Sequence, residues 1–350
     1  ANGENGALLL EPSRQQLLPQ SEYFNTWTTL NDVTITANST TSPEGVINAS
    51  LMSVSGAGSS SRSIRQGSQS TSTDIKTMSV FAKANTADYI QLFHSGDAQG
   101  YVNFDLASGV VGTSGTNGTG DIEPMGNDWY RCIATFDSVG NFGSSVYVGF
   151  ATSASAAYGG GSISDTSLSV YIFAAQYEIG SYVSSYIPNH GTSGGVTRAA
   201  DSCSVTGASD VIGQTEGTMF AEINFVDNNT DSMFMTIGDG TSSNRIHIGY
   251  DKTSDWIYCN VKAAGFQQAL ITSSSPSDGI KKIAVAYKQN DYIVYINGVS
   301  VGADTNANVP TLTRIDIGGY FTAGFEYPVI EATLFNERLT NAELATLTTL

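Results

Sequence analysis

The hydrophobic period of the chain limits its folding options more than any other feature. Apolar residues recur at every second position in run after run, and Gly, Ser, Asn and Asp cut the runs short. Such a period puts residues i, i+2 and i+4 on one side of a pleated strand, and it has no counterpart on a helix. The reading is therefore all-β. In the first half it predicts strands at 33–37, 77–84, 89–93, 101–106, 129–136, 145–150 and 168–179. The second half predicts them at 217–226, 232–238, 245–250, 255–262, 280–288, 291–302, 314–319 and 329–336. Within 291–302, Asn297-Gly298 sits between alternating apolar residues, the strongest short-range hairpin signal.

Helical periodicity is confined to the C-terminus. In "RLTNAELATLTTL", Thr340 can cap a first turn while Glu343 reaches back, a capping box. The loops "SGTNGTGD" (114–121) and "YGGGSIS" (158–164) read as solvated tips. Alternation fails across 188–207, which has one Pro and several Gly, and a domain boundary is placed near residue 200. The expected architecture is two antiparallel β-sandwiches (jelly rolls) in tandem, 1–199 and 200–350, the second closed by a short helix.

Composition narrows the setting. Charged residues are only 13% of the chain while glycine reaches 37 residues, a balance that suits an extracellular or virion β-protein. The net charge of −17 is spread over both halves, so no basic patch is available for nucleic acid. The same field repels anionic membranes and polyanionic glycans unless a divalent cation intervenes. No apolar run approaches the roughly 20 residues of a membrane span, and no membrane insertion is expected. "ALLL" (7–10) is too short for a signal-peptide core and is flanked by Glu4 and Glu11. The chain begins at Ala1 without Met and so reads as a processed product or part of a longer polypeptide.

Chemistry-bearing residues are sparse. Cys132, Cys203 and Cys259 form no CxxC pair, and Cys132 and Cys259 sit in apolar runs where they fill cores. His94, His190 and His247 lie in unrelated surroundings, with His247 facing away from Ile246 and Ile248. No G-x-S-x-G elbow is present, and the strand carboxylates Glu222 and Glu331 stand alone on their strands. No catalytic activity is expected.

Three stretches occur together: "LLLEPSRQQLLPQSEYFNTW" (8–27), "NDWYRC" (127–132) and "FAAQYEIGSYVSSYIPNHGTSGGVTRAAD" (173–201). They resemble a module of tailed-phage virion proteins that often precedes a laminin-G-like, concanavalin-A-like sandwich. The second half is similar to that sandwich in "GTMFAEINF", "DYIVYINGVSVG" and "VIEATLFNERLTNAELATL". The resemblance implies a tail-fibre or appendage protein at the virion surface or outside the cell. It further implies a carbohydrate-binding-module-like jelly roll followed by a lectin-like domain, a homo-oligomer (trimer), and other virion proteins and a host-surface glycan as partners. Enzymes of the concanavalin-A-like fold often carry E-x-D-x-x-E on one strand, and this chain lacks it. The alternatives are a purely structural virion or decoration protein and the ancillary binding module of a secreted polysaccharide-degrading enzyme.

Pro12 and Pro19 forbid one helix through the opening segment, so Leu8–Leu10 and Leu17-Leu18 are expected to lie extended along the first sandwich. The resemblance puts Arg14 near the "TRAAD" end, 197–201. Sugar sites combine an aromatic face with amides and carboxylates for the hydroxyls. Candidates are Trp256 and Tyr258, which share one face of a strand (the binding face or the core), Tyr250, and Tyr320 and Phe321 in a glycine-flanked loop. Trp27 and Trp129 are expected to anchor the first core. Calcium is the one metal whose oxygen ligands the loops could supply, from Asp239 with Asp231 and Asp251 as neighbours.

Overall fold

The computed structural model describes residues 10–56, 61–67, 74–137, 143–201, 203–225, 231–318 and 329–350. Strands dominate, and the chain divides into two compact units. One is Arg14–Arg198; the other is Ala199–Leu350 together with Leu10–Ser13.

The first unit stacks two six-stranded antiparallel sheets. One runs in the order Gly118–Gly126, Trp129–Phe136, Lys76–Ala84, Ser169–Ile179, Ile47–Val54, Val33–Thr41. The other runs Thr28–Leu30, Ser63–Gln66, Val146–Phe150, Tyr89–His94, Tyr101–Asp105, Val110–Ser114. Alternate residues of both meet in the core: Met78, Val80 and Ala82 from one side, Ile90, Leu92, Val102 and Phe104 from the other. Trp27 joins this core. Trp129 is equally buried but belongs to a separate cluster with Phe81 and Phe173. Cys132 is fully buried, and burial pushes its thiol well above the ordinary range.

The opening segment divides between the units. Arg14–Gln16 pairs with Val196–Arg198, Arg14 opposite Arg198, which makes the two ends of the first unit neighbours. Leu18 is fully buried there, as expected. Leu10, by contrast, packs into the core of the second unit, where Glu11 and Asp201 exchange hydrogen bonds of 3.0 and 2.9 Å. Leu8 and Leu9 fall outside the described residues. The Arg14 guanidinium lies 4.7 Å over the Tyr182 ring, with Nε 3.9 Å from the buried Glu178 carboxylate. Arg14→Glu would set two carboxylates against each other there. It is expected to cost about 2 kcal/mol or more and lower the thermal midpoint of this unit by about 5 °C. An unchanged midpoint in a calorimetric scan would mean that the segment is not clamped.

Two glycine-rich stretches differ from the expectation of solvated tips. Gly118–Gly126 is a full strand, because its backbone pairs with Trp129–Phe136 even where its side chains are too small to show a period. Residues 152–161 fold back over the second sheet, and Gly159, Gly160 and Gly161 supply the positive φ angles that let them do so. There the Ala157 and Ala156 carbonyls accept from Gln91 and Asn103 at 3.0 and 2.8 Å. The segment thus covers the polar side chains of Gln91 and Asn103, both fully buried.

The second unit stacks a six-stranded sheet on a five-stranded one. The first runs Cys203–Thr206, Arg314–Ile317, Ser232–Gly238, Arg245–Asp251, Trp256–Ala263, Phe266–Thr272. The second runs Val299–Asp304, Asp291–Ile296, Gly279–Lys288, Glu216–Phe225, Val329–Phe335. Asn297 and Gly298 both take positive φ at the expected hairpin. The core holds Ile246, Ile248, Ile257, Cys259 and Val261 against Met219, Ile223, Ile283 and Val285. Burial raises the Cys259 thiol to about 12.

The C-terminal helix, Asn341–Leu347, starts at the predicted box. Thr340 Oγ1 accepts from the Glu343 amide, and the Glu343 carboxylate accepts from the Thr340 amide at 2.7 Å. Its Leu344 is buried with Phe220, Ala284, Ala286 and Ile293, which covers the outer face of the five-stranded sheet. The outer face of the six-stranded sheet has no such helix on it among the described residues.

Candidate saccharide groove

Alternation decides what that open face presents. With Ile257, Cys259 and Val261 turned to the core, Trp256, Tyr258, Asn260 and Lys262 must point the other way. On the neighbouring strand Ile246, Ile248 and Tyr250 face the core, so Arg245, His247, Gly249 and Asp251 share the outer face. The register sets these residues in rows across the strands. Arg245 lies opposite Lys262, His247 opposite Asn260, Gly249 opposite Tyr258, and Asp251 opposite Trp256. Together with Met233, Gln267 and Leu270 they line a shallow groove of about 280 Å³.

One end of the groove is aromatic and the other cationic. Trp256 and Tyr258 are only partly buried. A Cβ at Gly249 would come within 2.7 Å of the Ser232 carbonyl oxygen and 3.0 Å of the Tyr258 ring, which lies across the sheet over this glycine. The ring also meets His247 edge-on at 5.3 Å. Six residues along the strand from Trp256, roughly 20 Å, Lys262 stands beside Arg245. Between the two ends Asn260 donates to Gln267 Oε1 at 3.0 Å.

His247 is 2% exposed. Burial first, then the positive charges of Arg245 and Lys262, push its pKa down to about 3. The imidazole is therefore neutral at physiological pH. Among the described residues its Nδ1 finds no hydrogen-bond partner, and neither do Asn260 Oδ1 and Thr236 Oγ1 in the same row. Buried polar atoms of this kind cost stability unless something supplies the missing bond.

The depressed pKa has a consequence for stability. An unfolded histidine protonates near pH 6.5, whereas the folded one resists protonation until about pH 3. The unfolded state therefore gains protons first, and folding stability falls as pH drops through that window. Between pH 6.5 and pH 5 the expected loss is about 2 kcal/mol, and it should be absent from His247→Gln. Parallel urea titrations of both proteins would check this, and equal pH slopes would contradict it.

The other sequence candidates fare differently. Tyr250 belongs to the core, not to a sugar site. It is 1% exposed, meets Phe225 edge-on at 5.0 Å, and donates from its hydroxyl to Asp255 at 2.9 Å. Its position before the 251–255 turn suggested exposure, but the strand parity sends it inward. Tyr320 and Phe321 lie outside the described residues. The three calcium candidates do not converge: Asp231 and Asp251 sit at one end of the strand pair and Asp239 at the other, roughly 20 Å away. Each carboxylate instead accepts from backbone amides: Asp239 from Thr241, Asp251 from Ser254, and Asp231 from Lys252, at 2.8, 2.8 and 2.9 Å. The donor set does not fit a cation, and no group of three or more His, Cys, Asp or Glu gathers elsewhere among the described residues.

Glu222 shares its strand, Glu216–Phe225, with Glu216, while Glu331 is the one carboxylate of Val329–Phe335; the register makes Glu222 and Glu331 direct neighbours. Lys282 Nζ stands 3.8 Å from Glu222, and Thr333 donates to Glu331 at 2.9 Å. The pair lies on the outer face of the five-stranded sheet, with Glu331 exposed. His94 is buried, with Nδ1 2.7 Å from the Ser95 carbonyl, while half-exposed His190 stands 3.2 Å from Glu22.

Sequence reasoning missed Arg245, Asn260, Lys262 and Gln267. The signal was available: "RIHIGYD" and "WIYCNVK" form a hairpin whose non-core positions read Arg, His, Gly, Asp and Trp, Tyr, Asn, Lys. Only the pairing register turns those letters into a surface.

No protein-family model matches the chain, and no curated protein matches it. Among solved structures, similar folds include the Ruminococcus gnavus IT-sialidase CBM40 bound to α2,3-sialyllactose, at 14% identity and a TM-score of 0.34 over 40% of this chain and 86% of that one. A heptameric SAP-like pentraxin from Limulus polyphemus matches at 13% identity and 0.31, over 38% and 70%. Chicken galectin 2 matches at 13% identity and 0.28, over 37% and 96%.

Proposed function

We propose that the chain is a non-catalytic carbohydrate-binding protein whose site is the open outer face of the six-stranded sheet. One observation carries this reading: Trp256 and Tyr258 turn away from the core and line a groove with Asn260, Gln267 and His247. An indole or phenol face packs against the apolar side of a pyranose, while amides and a neutral imidazole exchange hydrogen bonds with its hydroxyls. Among the described residues that line the groove the one carboxylate, Asp251, accepts from the Ser254 amide, and His247 stays neutral, an arrangement suited to binding. The resemblance to tailed-phage virion modules supports an appendage at the virion surface, trimeric and attached to other virion proteins, with a host-surface glycan as ligand. Affinity electrophoresis of the whole chain through host-glycan gels tests the reading. Retardation by at least one glycan, without shortening of that glycan, is expected. Free migration in every gel would favour a purely structural part, and glycan cleavage would overturn the non-catalytic reading.

A further inference from the structure

The middle of the groove holds two buried polar groups that the fold does not satisfy. Asn260 is 8% exposed and His247 2%, and they stand opposite each other on adjacent strands. Both line the groove, yet Asn260 Oδ1 and His247 Nδ1 have no hydrogen-bond partner among the described residues. Asn260 spends its amide protons on Gln267 Oε1 at 3.0 Å, which leaves the carbonyl end of the side chain unused. Asp316, buried on the same outer face and in the same row, differs: its carboxylate accepts three hydrogen bonds of 2.6–3.0 Å from Arg314. An apolar side chain of similar size at either position would avoid the cost of an unmade buried bond. Stacking on Tyr258 does not call for the pair.

We infer that the saccharide taken by this groove seats one unsubstituted ring hydroxyl between His247 and Asn260, and that these two residues select the free hydroxyl over its deoxy and O-alkylated forms. This rests on the saccharide reading above and names the feature of the ligand that the site selects. Asn260 Oδ1 only accepts, so the ligand must donate to it. A hydroxyl donates there and accepts from the imidazole when Nδ1 carries the ring proton. An ether, ester or carboxylate oxygen only accepts and would leave Asn260 unsatisfied. Neighbouring strands run roughly 4.8 Å apart, so one oxygen about 2.8 Å from each side bridges the pair. The partly buried Tyr258 ring meets His247 edge-on at 5.3 Å, and its rotation admits the hydroxyl. Bonds made there are shielded from water, so a missing one is felt in full.

The test is an array of gluco-, galacto- and manno-configured oligosaccharides probed with the full chain, each printed beside its monodeoxy and mono-O-methyl derivatives. For a glycan that binds, loss or methylation of one particular hydroxyl is expected to weaken binding about tenfold or more, the scale of one buried hydrogen bond. Asn260→Leu should bind the parent glycan and that deoxy derivative alike. Its unfolding midpoint should match or exceed that of the unaltered chain, because an unsatisfied acceptor is gone and the exposed Gln267 can turn to water. Asn260→Asp keeps the acceptor and should keep the preference. A lowered midpoint in Asn260→Leu with the preference intact would make Asn260 purely structural and overturn the inference. Equal binding of every derivative by the unaltered chain would overturn the hydroxyl and leave the groove reading standing. Silence across the array would overturn both.

Discussion

Glu178→Ala is expected to destabilise the first unit by about 3–5 kcal/mol, the scale on which an uncompensated buried charge pair acts. The carboxylate is fully buried on the strand Ser169–Ile179. It accepts from the Ser184 amide at 2.7 Å, the Ser184 hydroxyl at 2.8 Å and the Gln176 amide at 2.9 Å. Gln176 in turn accepts from the Ile187 amide at 2.7 Å, and Arg131 donates to the Ser184 carbonyl at 2.7 Å. One carboxylate therefore fixes the return of residues 184–187 onto the sheet, beside the guanidinium of Arg14. Removing it takes the acceptor from the buried Ser184 amide and the shortest bonds from the Ser184 hydroxyl and the Gln176 side-chain amide, and a buried donor left without an acceptor costs free energy. Glu178→Gln keeps the shape but turns an NH₂ toward donors, so its loss should be intermediate. Amide exchange at Ser184 and Ile187 should accelerate in both variants. Exchange unchanged in Glu178→Ala would mean that the segment is held by its apolar contacts alone.

Tyr258→Ala is expected to weaken saccharide binding about 30-fold, which corresponds to the roughly 2 kcal/mol that marks a binding hot spot. Trp256→Ala should lose a comparable amount. Neither residue belongs to the interlayer core, so the fold should survive the change. Tyr258→Phe keeps the face that stacks and should stay within a few-fold of the parent. A titration in which Tyr258→Ala binds as tightly as the parent would remove this groove from consideration.

The period of two was enough to read the architecture because each strand hides one face. The strands 129–136 and 232–238 appear where the alternation put them, and the Thr340–Glu343 box starts the helix. Alternation failed where side chains are small or the strand is short. Gly118–Gly126 is built from backbone pairing, and Arg14–Gln16 exists because Val196–Arg198 lies beside it. Leu10 crosses to the second core, a destination that no local pattern encodes.

For the site, period two sorts residues into two faces without saying which face is inside. Tyr250 and Tyr258 look alike in sequence, yet the first fills the core and the second lies across Gly249. The pairing of Arg245 with Lys262, and of His247 with Asn260, depends on the turn between the strands and the register it sets. Asp239 was separated from Asp231 and Asp251 by the same register.

Saccharide binding at the outer face of the six-stranded sheet can be followed residue by residue in solution. The most direct measurement is a chemical-shift map of the isotopically labelled chain, titrated with the glycan that retards it most. Shifts are expected at the Trp256 indole, Tyr258, Asn260 and His247, with the first unit unmoved. Shifts confined to the first unit, with the groove residues unchanged at saturation, would contradict it.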